Sequence, residues 1–282
     1  MKKILLIGIN GVYNYGCEAI VRGTVEILKT LNPKIEVTYA SYNFEDDRKR
    51  LSDCDIKILS RPRRKRWSWR NIVRKCLSYI HIPYSIPYDK LDWVMGFDTV
   101  FSIGGDIYTL APDGLYNASL PLFLEQLQQR GIKYILWGAS IGKFEKNHLA
   151  LRFFSQHLSK ADLIVSRESN TCKYLQSLGV NANVCLAPDP AFFVKNPVGL
   201  TPKRHEGIVI GINLSPLSAL YEYGNIEKAV AVQAEAVMRL IERMGCEVLF
   251  LPHVLSPDKS DNDLLYMKAI YDRLPKNFQD KV

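Results

Sequence analysis

The sequence predicts an α/β protein built on a parallel sheet, and three observations carry that expectation. Tyr134 to Trp137 is an apolar run that stops at Gly138. A strand buried on both faces reads this way when it empties into a glycine-bearing loop. Other short apolar runs on both sides of it also end in small or polar residues, and they alternate with segments of helical period. The polar stretch 196–206 holds two prolines and a glycine and reads as a linker, after which the strand and helix pattern restarts. Two domains are therefore expected, 1–195 and 207–282. Ligands of open parallel sheets sit beyond the carboxyl ends of the strands, so Gly138 to Phe144 is expected to line a cleft.

The totals agree with such a core. The chain has 282 residues, 47% of them hydrophobic. No apolar run is long enough to span a bilayer, and Lys2-Lys3 followed by Ile4 to Gly8 is too short for a signal peptide. Six cysteines are scattered without a C-x-x-C pair or a Cys/His cluster, which predicts reduced thiols, a cytoplasmic location and no metal site. The formal net charge is +8, and the eight basic residues between Arg61 and Lys75, with no acidic residue among them, account for all of it.

In chain order, Lys3 to Gly8 reads as a strand, Ile9 to Gly16 as a loop and Cys17 to Leu31 as a helix. Amides near Asn14 and Gly16 at that helix start suit an anion. A tight strand-to-helix turn without a ligand accounts for the same residues, and the spacing is not that of a dinucleotide-binding glycine loop. Ile35 to Ala40 and Ile56 to Leu59 are further strands. Thr99 to Ile103 is a strand leading into Gly104-Gly105-Asp106, where glycines permit close backbone approach. There Asp106 either binds a sugar hydroxyl, acts as a base or caps the next segment. Leu120 to Arg130 and Asn147 to Ser159 read as helices, Leu163 to Ser166 as a strand ending in Arg167-Glu168. Ser169 to Leu178 is a helix stopped by Gly179, and Asn183 to Leu186 a short strand. In the second part, Ile208 to Asn213 and Glu247 to Leu251 are strands, and Asn225 to Met244 and Asp261 to Arg273 are helices.

From Trp69 the apolar positions 69, 72, 73, 76, 77 and 80 have helical spacing, with Arg70, Arg74 and Lys75 off that face. With Arg63, Arg64, Arg66 and Trp67 just before it, this basic amphipathic stretch reads as a membrane-surface or anion-binding element over 61–80. A core-facing helix with a solvated basic face is the plainer reading. No nucleic-acid-binding motif accompanies the charge, so no nucleic-acid partner is expected.

Gly138-Ala139-Ser140-Ile141-Gly142 matches the G-x-S-x-G elbow of serine hydrolases, and Asp189 and His253 follow in the hydrolase order. Lys143-Phe144-Glu145 continues as loop instead of entering a helix, and His253 lies in the restarted second sheet. A hydrolase is therefore not expected.

Several blocks together carry a different likeness. They are Asn14-Tyr15-Gly16-Cys17-Glu18-Ala19-Ile20, Ser102-Ile103-Gly104-Gly105-Asp106, Gly138-Ala139-Ser140-Ile141-Gly142-Lys143-Phe144 and Ser166-Arg167-Glu168. Tyr174-Leu175 with Leu178-Gly179-Val180, Asp189-Pro190-Ala191-Phe192 and Pro252-His253-Val254 follow in order. The chain resembles the polysaccharide pyruvyl transferase family across nearly its whole length. The resemblance implies two Rossmann-like lobes in a GT-B-like arrangement, and transfer of pyruvate from phosphoenolpyruvate onto two hydroxyls of a surface or capsular glycan as a cyclic ketal. It implies no cofactor beyond the substrate phosphoenolpyruvate. The basic stretch 61–80 adds the expectation of a lipid-linked acceptor at the inner membrane face.

By that resemblance Arg167 grips the donor, with Ser140, Gly142, Asn14 and Gly16 beside it. Pairing of Arg167 with Glu168 or a neighbouring carboxylate is the plain alternative. His253 and Asp106 are the candidate catalytic groups, His253 being equally readable as a structural histidine. Gly104, Gly105 and Asp189 contact the acceptor or line the cleft, Asp189 being equally readable as a residue that holds its loop together. The sequence departs from the family pattern at Cys17 (usually Asp), Ile103 (a glycine), Ala139 (Gln) and Lys143 (Pro). It also ends without the family's later Arg/His motif, so the second lobe is expected to be incomplete. A sugar-nucleotide glycosyltransferase and an inactive binding module are the alternatives.

Overall fold

The computed structural model describes residues 2–61, 69–79, 91–111, 114–195 and 207–282. The chain divides into two compact units, Met1–Val12 with Cys17–Lys195, and Tyr13–Gly16 with Asn196–Val282. The linker proposed at 196–206 lies outside the described residues.

In the first unit the strands are β1 (Lys3–Ile7), β2 (Glu36–Ser41), β3 (Lys57–Ser60), β4 (Thr99–Ile103), β5 (Lys133–Ala139), β6 (Leu163–Ser166) and β7 (Val184–Leu186). They form one sheet in the order β3-β2-β1-β4-β5-β6-β7, and every pairing is parallel. This order reverses direction between β1 and β4, the switch point at which doubly wound sheets open a crevice. Its outermost strands are short, four residues in β3 and three in β7.

Alternation along the strands feeds two cores. Leu5, Ile7, Val100, Tyr134 and Leu136 point to one face and Ile4, Leu6, Val37, Tyr39 and Phe101 to the other. Helix α1 (Tyr15–Leu31) buries Ile20, Val21, Val25 and Leu28 against the second face. Beside it on the chain lie α2 (Phe44–Arg50) and α3 (Trp69–Tyr79). Helices α4 (Ser119–Gln128), α5 (His148–Lys160) and α6 (Ser169–Ser177) cover the first face with Phe123, Leu124, Phe154, Leu158 and Leu175. Asn147 starts α5 by accepting the Leu149 and Ala150 N–H groups at 3.0 and 3.1 Å.

The central strand does not stop at Trp137. Gly138, at φ +70°, is a bulge that shifts the register between Trp137 and Ala139, and pairing with β6 resumes at Ala139 and Ser166. Its absent side chain has a second consequence, because a Cβ there would lie 3.0 Å from the Pro190 ring. On the other side of that proline, a Cβ at Gly23 of α1 would lie 1.8 Å from the Pro190 carbonyl oxygen. Gly8, at φ +124°, similarly lets the end of β1 pass Ile103, whose carbonyl oxygen would be 2.2 Å from a Cβ.

His157 of α5 is fully buried among aromatic rings, stacked at 5.5 Å on Tyr134 and 5.9 Å on Tyr108. Its Nδ1 is 2.9 Å from the Glu125 carboxylate, which Lys160 also reaches at 2.9 Å. Burial holds its pKa below the ordinary histidine value, against the opposing pull of Glu125.

The second unit pairs β8 (Val209–Ile212) with β9 (Glu247–Phe250) in parallel. Helices α7 (Pro216–Tyr223), α8 (Ile226–Met244), α9 (Asp263–Arg273) and α10 (Lys276–Gln279) complete it among the described residues. Val230, Ala234, Val237 and Ile241 of α8 meet Val248, Tyr266, Ile270 and Leu274 in its core. Asn225 caps α8 and Gly245, at φ +58°, closes it. The residues Tyr13–Gly16, read from sequence as part of the first lobe, group here because their backbone is bonded here. Tyr15 donates to the His253 carbonyl and Leu255 to the Tyr13 carbonyl, both at 2.9 Å.

Two outcomes follow from this packing. Gly23→Ala is expected to destabilise the first unit by about 1–3 kcal/mol through overpacking, measured by urea unfolding. The unfolded chain binds a proton at His157 more readily than the folded one, so stability should fall as pH drops below about 6.5. In His157→Phe that part of the pH dependence should disappear from melting curves taken between pH 7.5 and 5.

Candidate functional site

The loops after β4, β5 and β6 and the turn at Asp189 bring polar groups together at the carboxyl end of the first unit's sheet. Arg167 follows β6. Its Nε donates to Ser140 Oγ at 2.9 Å, and its Nη1 donates to Asp189 Oδ2 at 2.7 Å. The guanidinium lies over Gly105, where a Cβ would fall 2.5 Å from Nη2. The Arg167 side chain is 30% exposed and that of Asp189 18%. The sequence reading offered Glu168 or a neighbouring carboxylate as the partner of Arg167, and the carboxylate bonded to it is that of Asp189. Glu168 instead accepts from Thr171 Oγ1 at 3.3 Å.

Each member of this group is held from behind. Asp189 Oδ1 accepts the Ala191 N–H at 2.9 Å, capping the 3-10 turn Pro190–Phe193, and buried Pro190 is fixed between Gly23 and Gly138. The Ser140 N–H donates to the Gly105 carbonyl at 2.6 Å, and Gly142 donates to the Tyr108 carbonyl at 3.0 Å. Helix α6 anchors the same loop, since Ile141 donates to Thr171 Oγ1 and Phe144 to the Tyr174 hydroxyl, at 3.2 and 2.8 Å. These contacts give the blocks around residues 166–168 and 174–175 a physical reason. Gly104, at φ +129°, turns the chain between Ile9 and Ile107.

Asp106 is exposed next to this group. Burial, and after it the charges of Asp106 and Asp47, push the Cys17 thiol up to about 11. Cys17 is therefore a protonated thiol at neutral pH and a poor nucleophile. Asp47 itself is fully buried on α2 and accepts from the Val12 N–H at 3.0 Å and from the Ser41 hydroxyl, fixing the loop after β1. The sequence offered no signal for it, because it stands in a short polar run with no apolar period. The hydroxyl of Ser140 is bonded to an arginine, which cannot serve as a base, so the G-x-S-x-G match has no relay of the hydrolase kind at this serine.

Asn14, Gly16 and His253 belong to the second unit. Gly16 donates to Asn14 Oδ1 at 2.8 Å, and Asn14 forms an isolated antiparallel bridge with Val254. His253 is exposed, and its backbone N–H donates to Asp263 Oδ2 at 3.0 Å.

Of the basic segment, Arg63, Arg64, Arg66 and Trp67 lie outside the described residues, as does the side chain of Arg70. Trp69 is 65% and Ile72 50% exposed on α3, so these two apolar positions do not face a core. Among the described residues no helix is long and apolar enough to cross a membrane, and no group of three His, Cys, Asp or Glu is placed to hold a metal ion.

Comparison with known proteins gives one family match. The sequence model of the family described as polysaccharide pyruvyl transferase matches residues 14–281. No curated protein matches the chain. Among solved structures, the chain is similar to a complex of S. aureus MnaA with UDP, at 13% identity and a TM-score of 0.53 over 96% of this chain and 66% of that one. A UDP-N-acetylglucosamine 2-epimerase gives 12% and 0.51 over 88% and 62%. The UDP-GlcNAc 2-epimerase of Methanocaldococcus jannaschii gives 11% and 0.50 over 100% and 70%. At these identities the likeness shows the fold, an α/β fold of the GT-B type. The chain spans less than two thirds of the length of the first two of these structures.

Asp189→Ala removes both the partner of Arg167 and the cap of the 3-10 turn. A part-buried charged pair and a lost cap together are expected to cost about 1–3 kcal/mol, read as a lower denaturation midpoint. Asp189→Asn, which keeps an acceptor for Ala191, should cost less.

Proposed function

We propose that this chain, which belongs to the polysaccharide pyruvyl transferase family, transfers pyruvate from phosphoenolpyruvate to a sugar of a surface or capsular glycan, forming a cyclic ketal. The observation that carries the reading is the guanidinium of Arg167, aimed by Asp189 and Ser140 across a loop that has no side chain at Gly105. Phosphoenolpyruvate bears a phosphate and a carboxylate, and a fixed, partly exposed guanidinium suits either of them. The Ser140 hydroxyl, bonded to that guanidinium, is proposed to support the same end of the donor.

In the proposed reaction a proton adds to the methylene carbon of phosphoenolpyruvate, leaving positive charge on the central carbon. One sugar hydroxyl adds to that carbon and loses its proton. A second hydroxyl then displaces phosphate, its proton passing to the base while phosphate leaves with the C–O bonding pair, and both new C–O bonds belong to the ketal. His253 is the proposed proton donor and Asp106 the proposed base for a hydroxyl. The basic stretch 61–80, with exposed Trp69, is proposed to rest on the inner membrane face, where a lipid-linked acceptor would be presented. That part of the reading requires salt-sensitive co-sedimentation with vesicles containing anionic lipid.

The fold is shared with UDP-sugar enzymes, so UDP-sugar is the control ligand. A ligand that binds only the folded chain stabilises it by about 2.7 kcal/mol at a hundred times its Kd, a shift of several degrees in Tm. Phosphoenolpyruvate is expected to give such a shift, and Arg167→Ala to abolish it while remaining folded. A shift with UDP-sugar alone would replace this reading with a glycosyltransferase.

A further inference from the structure

We infer that Asp263 is a positioning residue for His253, fixing the backbone from which the proposed proton donor projects. The inference rests on the role given to His253 above. Asp263 is the first residue of α9 and is 1% exposed. Its Oδ2 accepts three N–H groups, those of His253 and Val254 at 3.0 Å each and Nδ2 of Asn213 at 3.1 Å. Asn213, just past β8, uses the same amide to donate to the Leu251 carbonyl at 2.9 Å. One carboxylate oxygen thus ties the end of β8 to the loop after β9.

Helix capping does not account for this aspartate. Asn262 already caps α9, its Oδ1 accepting the Leu265 N–H at 3.0 Å. Nor is the loop otherwise loose. Asp263 N–H donates to the Val254 carbonyl at 2.9 Å, Leu255 bridges Asn262, and Asn262 Nδ2 donates to the Ser256 carbonyl at 2.7 Å. What the carboxylate adds is control of residue 253 itself. The His253 N–H is bonded to Asp263 and its carbonyl to the Tyr15 N–H, so both backbone polar groups are occupied and only the side-chain torsions remain free.

The arrangement carries a cost. Asp263 Oδ1 is buried with no hydrogen-bond partner, and an unsatisfied carboxylate oxygen in the interior is destabilising. The N-terminal end of α9 offsets part of that cost. Strain of this kind is retained where a side chain has to be held in one place, and the exposed imidazole of His253 is the reactive group on this loop.

The test compares Asp263→Ala and Asp263→Asn, each alone and combined with His253→Ala, in pyruvyl transfer from phosphoenolpyruvate, together with hydrogen exchange at the amides of His253 and Val254. Asp263→Ala is expected to lower kcat about 100-fold, the order of loss for a catalytic group displaced by an ångström, with little change in the KM for phosphoenolpyruvate. Exchange at both amides should become faster. Asp263→Asn keeps an acceptor oxygen and should retain more activity than Asp263→Ala, which also covers the case in which Asp263→Ala folds poorly. In the His253→Ala background neither substitution should lower kcat further. Equal losses with and without His253, or unchanged exchange at both amides, would overturn the inference. If the wild type transfers no pyruvate, the reaction proposed above falls, and exchange alone then decides whether Asp263 holds His253.

Discussion

Pro190 holds the first unit's site together by occupying space that side chains at Gly23 and Gly138 would need. Its carbonyl oxygen touches α1 and its ring touches the bulge in β5. That contact sets Asp189, and Asp189 sets Arg167 through a 2.7 Å bond. The bulge puts Ser140 within reach of the same guanidinium, so one departure from regular pairing serves two members of the group. The site is thus built from the sheet outward, with its charged groups last in a chain of steric constraints.

The electrostatic character of that site is mixed. Arg167 is the cation, and its strongest contact is an internal carboxylate. Any anion bound at this guanidinium would share it with Asp189, which keeps the fork oriented and leaves the remaining N–H donors to bind. Beside it, burial, and after it the charges of Asp106 and Asp47, keep the Cys17 thiol protonated. The net charge of +8 is matched in number by the eight basic residues between Arg61 and Lys75.

Much of the fold was legible in the sequence because parallel strands are buried on both faces. Apolar runs such as Lys3–Ile7 and Thr99–Ile103 therefore stand out against their polar ends. The glycine after Trp137 was legible as a break, but a bulge and a strand end look alike until the pairing partner is known. Helix α2 was missed because it is almost wholly charged, and α7 because it is short. At the site, Arg167, Ser140, Gly105 and Asp189 each marked a strand end, which placed them at one edge of the sheet. Which carboxylate would meet Arg167 was not readable, since Glu168 is adjacent in sequence and Asp189 is 22 residues away. Asp47 and Asp263 left no trace at all: a buried aspartate becomes visible only when the backbone amides it binds are seen beside it.

The short outer strands of the first unit's sheet have a meaning for the chain in a crowded cell. An open edge is a template on which another polypeptide can add itself, and long apolar edges seed such growth. Here one side of the sheet closes with β3, whose Lys57 is paired to Glu36 at 2.9 Å, and the other with the three residues of β7. Neither presents enough backbone for a foreign strand to register against, although Leu186 at the β7 edge is 57% exposed. Brevity at the margins limits the backbone that a wide, strongly apolar sheet offers to another chain.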